Sequence, residues 1–311
     1  MHMVVHAAQP ASLQSVMVHA LEPPSDAIAG EPLDLVVQAP ALPAEDVDML
    51  VLLTGAAGVA AAARAGNDAV RLTHVREFDG VAEAADAAGY DVGLLPNART
   101  LERVRLVAMD MDSTLITIEC IDEIAALQGL KAEVAAVTAS AMRGEIDFAD
   151  SLRRRVALLA GLRVAALEQV YDERLRLSAG AERMLAGFRA VGAKSLLVSG
   201  GFTFFTERLR ARLGLDFAFA NTLETQQGRL TGRVTEPVFD AAAKAAALRA
   251  TAHAVGAAGG LVVAIGDGAN DLPMLQAADV SVAFRAKPGV RAAATHAIDH
   301  CGLDAVLNLF G

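Results

Sequence analysis

Apolar positions in the first third of the chain come in short runs interrupted by Pro and Gly. Residues 33–37 and 48–53 read as strands joined by a link that carries Pro40 and Pro43, and the Ala-rich stretch 56–65 reads as a helix. A strand over 69–75, a short helix over 80–88 and a strand over 90–95, closed by Pro96 and Asn97, complete a small α+β unit. This unit, residues 1–100, holds no paired acids, no Cys/His set and no Gly-rich phosphate loop. Packing, oligomerisation or ligand sensing is therefore the expectation for it.

The pattern changes after residue 100. Residues 106–109 form a continuous apolar run, about the length of a buried parallel strand, that stops at Asp110 and Asp112. Helical periodicity follows over 119–127, 131–141, 148–159 and 165–176 with no strand between, so these segments cannot continue a βαβ alternation. They are placed as a helical cap inserted at about 118–178.

Alternation resumes with helix 181–191, strand 194–198, helix 203–213, strand 217–220 and a hairpin over 223–234 turning at Gly228. Helix 240–255, strand 261–265, helix 272–278, strand 280–283 and helix 303–309 complete the chain. The expected fold is α/β: a doubly wound parallel sheet over 101–311 with the inserted cap, preceded by the small α+β N-terminal domain.

Composition narrows the function classes. The chain is 311 residues long, 54% hydrophobic and without Trp, enough for a large aliphatic core. A net charge of −10 argues against general nucleic-acid binding, which rests on clustered Lys and Arg. Cys120 and Cys301 stand far apart with no Cys/His cluster, favouring a reducing compartment. The N-terminal stretch lacks a basic region followed by a long apolar one, and no apolar run is long enough to span a bilayer. A cytoplasmic protein is expected, with no nucleic-acid or membrane partner and with a homodimer as an open alternative to a monomer.

Three strands of the second half end in chemistry. The first ends in Asp110 and Asp112, the second in Ser199-Gly200-Gly201, and the third in Gly266-Asp267-Gly268-Ala269-Asn270-Asp271. Parallel strands bring such ends to one edge of the sheet, where open α/β sheets bind ligands. A bare D-x-D is equally an acidic turn; convergence is what separates the two. Asp110 and Asp267 offer hard oxygen ligands suited to Mg²⁺. Ser199, followed by two glycines, offers a hydroxyl and a backbone that can approach a phosphate closely. Asp110, held ionised by a metal, can act as a nucleophile, and Asp112 as the acid and base beside it. Lys244 stands alone in AAAKAAAL and would by itself read as a solvated helix-face lysine. A dinucleotide fingerprint fails because Asp271 holds the place of its third glycine, and neither an EF-hand nor a G-x-x-x-x-G-K-[ST] loop is present.

In this order, DMDST, SGGF, an isolated Lys and GDGANDLPML resemble the four motifs of the haloacid-dehalogenase-like phosphohydrolases. The likeness runs from about Val104 to the C-terminus and includes AMRGEIDFADSLRRRVALL and LDFAFANTLE. The resemblance implies Asp110 as nucleophile, Asp112 as general acid and base, and Mg²⁺ on the Asp110 and Asp267 side chains and the Asp112 carbonyl, with Asp271 in support. It places Ser199 and Lys244 on the phosphate, with Gly200 and Asn270 among the substrate-binding residues. Glu119 would meet an ammonium and Arg155 a carboxylate, while Met142 and Phe148 close the pocket. A small zwitterion needs such a pair, and Arg suits a carboxylate bidentately. Without the resemblance Glu119 and Arg155 are ordinary cap-helix charges, and Arg153 and Arg154 remain solvated-face candidates.

The reaction implied is Mg²⁺-dependent hydrolysis of a small phosphorylated amino acid, O-phospho-L-serine, through an aspartyl-phosphate, as in serine biosynthesis. Phosphohomoserine is the alternative substrate. A non-catalytic amino-acid-binding regulatory protein is the alternative of another class.

Overall fold

The protein is described by a computed structural model covering residues 21, 32–64, 66–96 and 99–311. The N-terminal stretch, read as lacking the pattern of a leader, and the turn at Asn97 lie outside the described residues. The first unit comprises β1 (Leu33–Ala39), α1 (Ala44–Thr54), β2 (Gly58–Ala61), β3 (Asp68–Val75), α2 (Val81–Ala88) and β4 (Asp91–Pro96). Its strands form one antiparallel sheet in the order β2-β3-β1-β4. Every residue of β1 is buried. Leu35 and Val37 face the unit's own helices, whereas Val36 joins the core of the second half.

Two expectations fail here. Residues 48–53 belong to helix α1, not to a strand. Val47, Leu50, Val51 and Thr54 recur at helical spacing toward the sheet, while Met49, Leu52 and Leu53 are exposed. Pro43 before the first turn, Glu45 and Asp46 within it, and left-handed Gly55 after the last turn punctuate the helix. The Ala-rich stretch read as a helix over 56–65 instead holds strand β2, paired antiparallel to β3. Edge pairing overrides the helix propensity of alanine there.

The second half begins with β5 (Val104–Asp110) and passes into the cap helices α3 (Cys120–Leu127), α4 (Lys131–Met142), α5 (Phe148–Ala157) and α6 (Ala165–Gln169). A wider-wound turn, Val170–Arg174, continues α6. Next come α7 (Ala181–Ala190), β6 (Lys194–Phe202), α8 (Thr203–Leu213), β7 (Phe217–Asn221), β8 (Leu223–Gln226) and β9 (Arg229–Val234). The chain closes with α9 (Ala241–Ala254), β10 (Leu261–Gly266), α10 (Leu272–Gln276), β11 (Val280–Phe284), α11 (Pro288–Arg291) and β12 (His296–Ile298). Leu303–Leu309 is a 3-10 helix. Both α11 and β12 are too short for periodicity to have revealed them.

Six parallel strands make the main sheet, in the order β12-β11-β10-β5-β6-β7. Along β5, Val107 and Met109 enter one core and Leu106 and Ala108 the other, so both faces are covered. That explains its unbroken apolar run. The cap rests on paired linkers: Ile116 bridges Leu177, and the Ser178 hydroxyl donates to the Thr114 carbonyl at 2.6 Å. The β8–β9 hairpin joins the cap as well, with Arg229 bridging Arg163 and the Leu230 N–H donating to the Leu162 carbonyl at 2.8 Å. Among the described residues no helix is long and apolar enough to cross a membrane.

Candidate active site

The register of the central strands sets Met109 beside Ile265 and Asp110 beside Val198. Ser199 and Asp267, one and two residues further along their chains, therefore emerge at the same sheet edge as Asp110. This is the switch point, where the chain leaves β5 for β6 on one side and returns later to β10 on the other.

Beneath that edge lies a buried ionic floor. Lys244, 1% exposed on α9, places Nζ 2.6 Å from Asp110 Oδ1 and 2.8 Å from Asp271 Oδ1. The second Asp271 oxygen accepts the N–H groups of Asp267 at 3.2 Å and Gly268 at 3.0 Å, so both of its oxygens are engaged. The Thr114 hydroxyl donates to Asp267 Oδ1 at 3.2 Å. Asp112 Oδ1 accepts the Cys120 N–H at 3.1 Å, tying it to the start of α3. Ser113 takes a left-handed conformation after Asp112, and its hydroxyl donates to Glu119 Oε1 at 2.8 Å.

Ser199 is fully buried and its Oγ accepts the Gly201 N–H at 2.9 Å. A Cβ on Gly201 would stand 2.8 Å from Asp112 Oδ2, and one on Gly200 would stand 2.9 Å from the Phe148 ring. Glycine is required at both because the backbone passes between the acid and the cap.

Burial dominates the electrostatics of the floor, and crowding of the acids adds to it. Burial raises Asp110 well above the carboxylate range, Asp271 adds to this, and Lys244 opposes it. Burial also pushes Asp112 up to about 7, followed by repulsion from Glu119. Asp267 rises to about 6 through burial, then Asp271 and Glu119. For Lys244 burial pulls downward, but Asp110 and Asp271 outweigh it and hold the ammonium protonated.

One ammonium thus faces the carboxyl groups of Asp110, Asp112, Asp267 and Asp271. Ligand oxygens of Asp110, Asp267 and Asp271 lie within 4.8 Å of one another. Because Asp271 is committed to Lys244 and two amides, Asp110 and Asp267 are the carboxylates left to face a cation. The all-oxygen donors and the surplus of negative charge fit a hard divalent ion.

Above the floor opens a cavity of roughly 480 Å³. Asp110, Asp112, Gly200, Asp267 and Asn270 line it from the core, and Glu119, Met142, Phe148 and Arg155 line it from the cap. Ser199, Lys244 and Asp271 lie beneath, so every residue singled out in the sequence comes to this one place. Met142 stands at the rim, 69% exposed. Burial lowers Arg155, while Asp122, Glu119 and Asp112 oppose that shift. Arg153, by contrast, pairs with Asp150 at 3.0 Å and Glu236 at 2.9 Å on the solvent face.

The cavity also has lining residues that the sequence reading passed over, namely Asp122, Thr138, Ile146 and Lys287. Asp122 and Thr138 sit one helical turn from Glu119 and Met142, a spacing that could have revealed them. Lys287 carried no such signal.

Comparison with known proteins agrees with this geometry. The family model of haloacid dehalogenase-like hydrolases matches residues 107–276. A phosphoserine phosphatase from Polaromonas sp. strain JS666 is 51% identical over 226 residues, covering 70% of this chain and 96% of the relative. A HAD family hydrolase structure from Salmonella enterica serovar Typhi matches with TM-score 0.81 at 32% identity, covering 89% of this chain and 98% of that one. The unliganded structure of a probable phosphoserine phosphatase from Vibrio cholerae matches with TM-score 0.76 at 37% identity, covering 89% and 85%. Coverage of 89% extends well into the first hundred residues. The family match begins inside β5 and ends with α10, taking in all three strand ends that build the floor. This chain belongs to the haloacid dehalogenase-like hydrolases.

Proposed function

We propose that the chain is a Mg²⁺-dependent phosphoserine phosphatase, hydrolysing O-phospho-L-serine to L-serine and phosphate, the closing step of serine biosynthesis. The observation that carries this reading is that Glu119 and Arg155 line the same cavity as Asp110: an anion, a planar cation and a strand-end carboxylate around one small volume. The substrate offers an ammonium, a carboxylate and a phosphate in complement.

An Asp110 oxygen attacks phosphorus, and the P–O bond to the serine oxygen breaks. Asp112 protonates the departing alkoxide, a task suited to a carboxyl pushed up to about 7. The ionised Asp112 then takes a proton from water as its oxygen attacks phosphorus, and the bond to Asp110 breaks to release phosphate. Ser199 and Lys244 bind the phosphoryl oxygens, with the Gly200 backbone and Asn270 beside them, and Asp271 keeps Lys244 protonated and in place. Asp110, Asp267 and the Asp112 carbonyl would hold Mg²⁺, which would supply charge neutralisation for the phosphate oxygens. Phe148, pressed on Gly200, and Met142 at the rim narrow the mouth during transfer to Asp110, and the attacking water enters once serine has left.

The test is phosphate release from O-phospho-L-serine, phosphohomoserine and phosphoethanolamine, with and without Mg²⁺. Phosphoserine is expected to be the best substrate, and phosphohomoserine turned over equally well would overturn the choice. Arg155→Ala is expected to lower kcat/KM for phosphoserine by roughly two orders of magnitude, the scale of a lost charge-assisted pair. The same change should alter phosphoethanolamine, which lacks the carboxylate, severalfold at most. Equal losses on both substrates would remove Arg155 from substrate selection.

A further inference from the structure

Lys287 lines the cavity from the core side, on the turn between β11 and α11. Its backbone N–H donates to the Asp267 carbonyl at 3.4 Å, which fixes its Cα beside the acidic floor. Among the described residues no carboxylate lies within ion-pairing distance of its Nζ, and the side chain is exposed at the mouth. The other cations of the site are differently placed. Lys244 is buried below the floor, with two of its three N–H groups on Asp110 and Asp271, and Arg155 belongs to the cap. Against these, Asp110, Asp112, Glu119, Asp122 and Asp267 present carboxyl groups to the cavity. A phosphorylated, net-anionic substrate entering such a field needs a positive group on the approach.

The segment that carries Lys287 is gripped by the first unit. Arg291, at the end of α11, bonds Asp86 of α2 at 3.2 Å and Asp299 at 3.1 Å. Asp91, which opens β4, accepts the N–H groups of Asp299 at 2.7 Å, His300 at 3.1 Å and Cys301 at 2.8 Å, just beyond β12. Both ends of the α11–β12 segment are thereby held from outside the parallel sheet.

Resting on the phosphatase reading, we infer that Lys287 is a substrate-recruiting residue that draws the phosphate group into the cavity, and that the first unit positions it through the Asp86–Arg291 and Asp91 contacts. This gives the N-terminal unit a part in the reaction through the placement of one ammonium. Lys287 acts on approach and binding and takes no part in bond making.

Steady-state phosphate release by the full chain with Mg²⁺ tests this over a series of salt concentrations. Lys287→Gln should raise KM for phosphoserine by about five- to tenfold with kcat within about twofold, the signature of lost uniform binding. It should also flatten the salt dependence of kcat/KM, as loss of a rim charge does. Lys287→Arg should restore both. Arg291→Ala, which leaves every cavity residue intact, should raise KM in the same direction by a smaller factor, with an unchanged unfolding midpoint for the parallel-sheet half. An unchanged KM and salt slope in Lys287→Gln would overturn the recruiting role, and an unchanged KM in Arg291→Ala would overturn the positioning by the first unit. A wild-type chain that releases no phosphate from phosphoserine would instead overturn the proposed function, so the two failures are distinguishable.

Discussion

Replacing Asp110 by Asn should reduce phosphate release by about five orders of magnitude or more, the scale of loss when a catalytic nucleophile is removed. The substitution is nearly isosteric, so the fold should survive it. Lys244 keeps Asp271 at 2.8 Å, and β5 keeps its place between β6 and β10. The substitution also removes a carboxyl that burial, Asp271 and Asp112 push well above its ordinary range. A stable, well-folded Asp110→Asn protein that still binds phosphoserine is therefore expected, and binding calorimetry beside the phosphate assay checks both halves. Residual turnover within tenfold of wild type would contradict the assignment of the nucleophile.

The second large effect concerns stability. In Lys244→Met the buried ammonium is lost while Asp110 and Asp271 stay, 4% and 0% exposed, with no cation between them. Breaking a buried pair by removing one partner costs about 3–5 kcal/mol, because an uncompensated charge is left behind. Urea unfolding of metal-free protein at neutral pH should show a loss of that size.

The sign of its pH dependence follows from linkage. Burial already holds Asp110 well above its unfolded value, and losing Lys244 removes the charge that opposes this rise. The penalty is then greatest above the folded-state pKa of Asp110 and shrinks as pH falls toward its unfolded value and Asp110 takes up a proton. Adding Asp271→Asn to Lys244→Met should recover part of the loss. A Lys244→Met protein as stable as wild type under these conditions would mean that the ionic floor does not hold the site together.

Much of this site was legible in sequence because buried parallel strands advertise themselves. The apolar runs before Asp110, Ser199 and Asp267 could belong only to strands covered on both faces, and parallel pairing then dictated where their ends meet. The hairpin turn was legible for a similar reason, since Gln227 and Gly228 both take positive φ there.

What escaped lies where tertiary packing decides. Met49, Leu52 and Leu53 are exposed apolar residues that filled in the polar face of α1 and disguised its period as a strand. Strand β2 is Ala-rich and became a strand only because β3 offered an edge. Lys244 was an ordinary lysine until α9 laid it across the floor, with Ala245 and Leu248 packed beside it. Lys287 depends on a four-residue helix whose position is set by contacts to a different sheet, which no local pattern records.

The central claim is that phosphate passes through Asp110, and rapid acid quenching of the wild-type reaction with ³²P-labelled O-phospho-L-serine and Mg²⁺ tests it most directly. Label should appear on the protein within the first turnover, be released by hydroxylamine as an acyl phosphate is, and map to the peptide carrying Asp110. Label that goes straight to free phosphate, with none on the protein at any quench time, would contradict it.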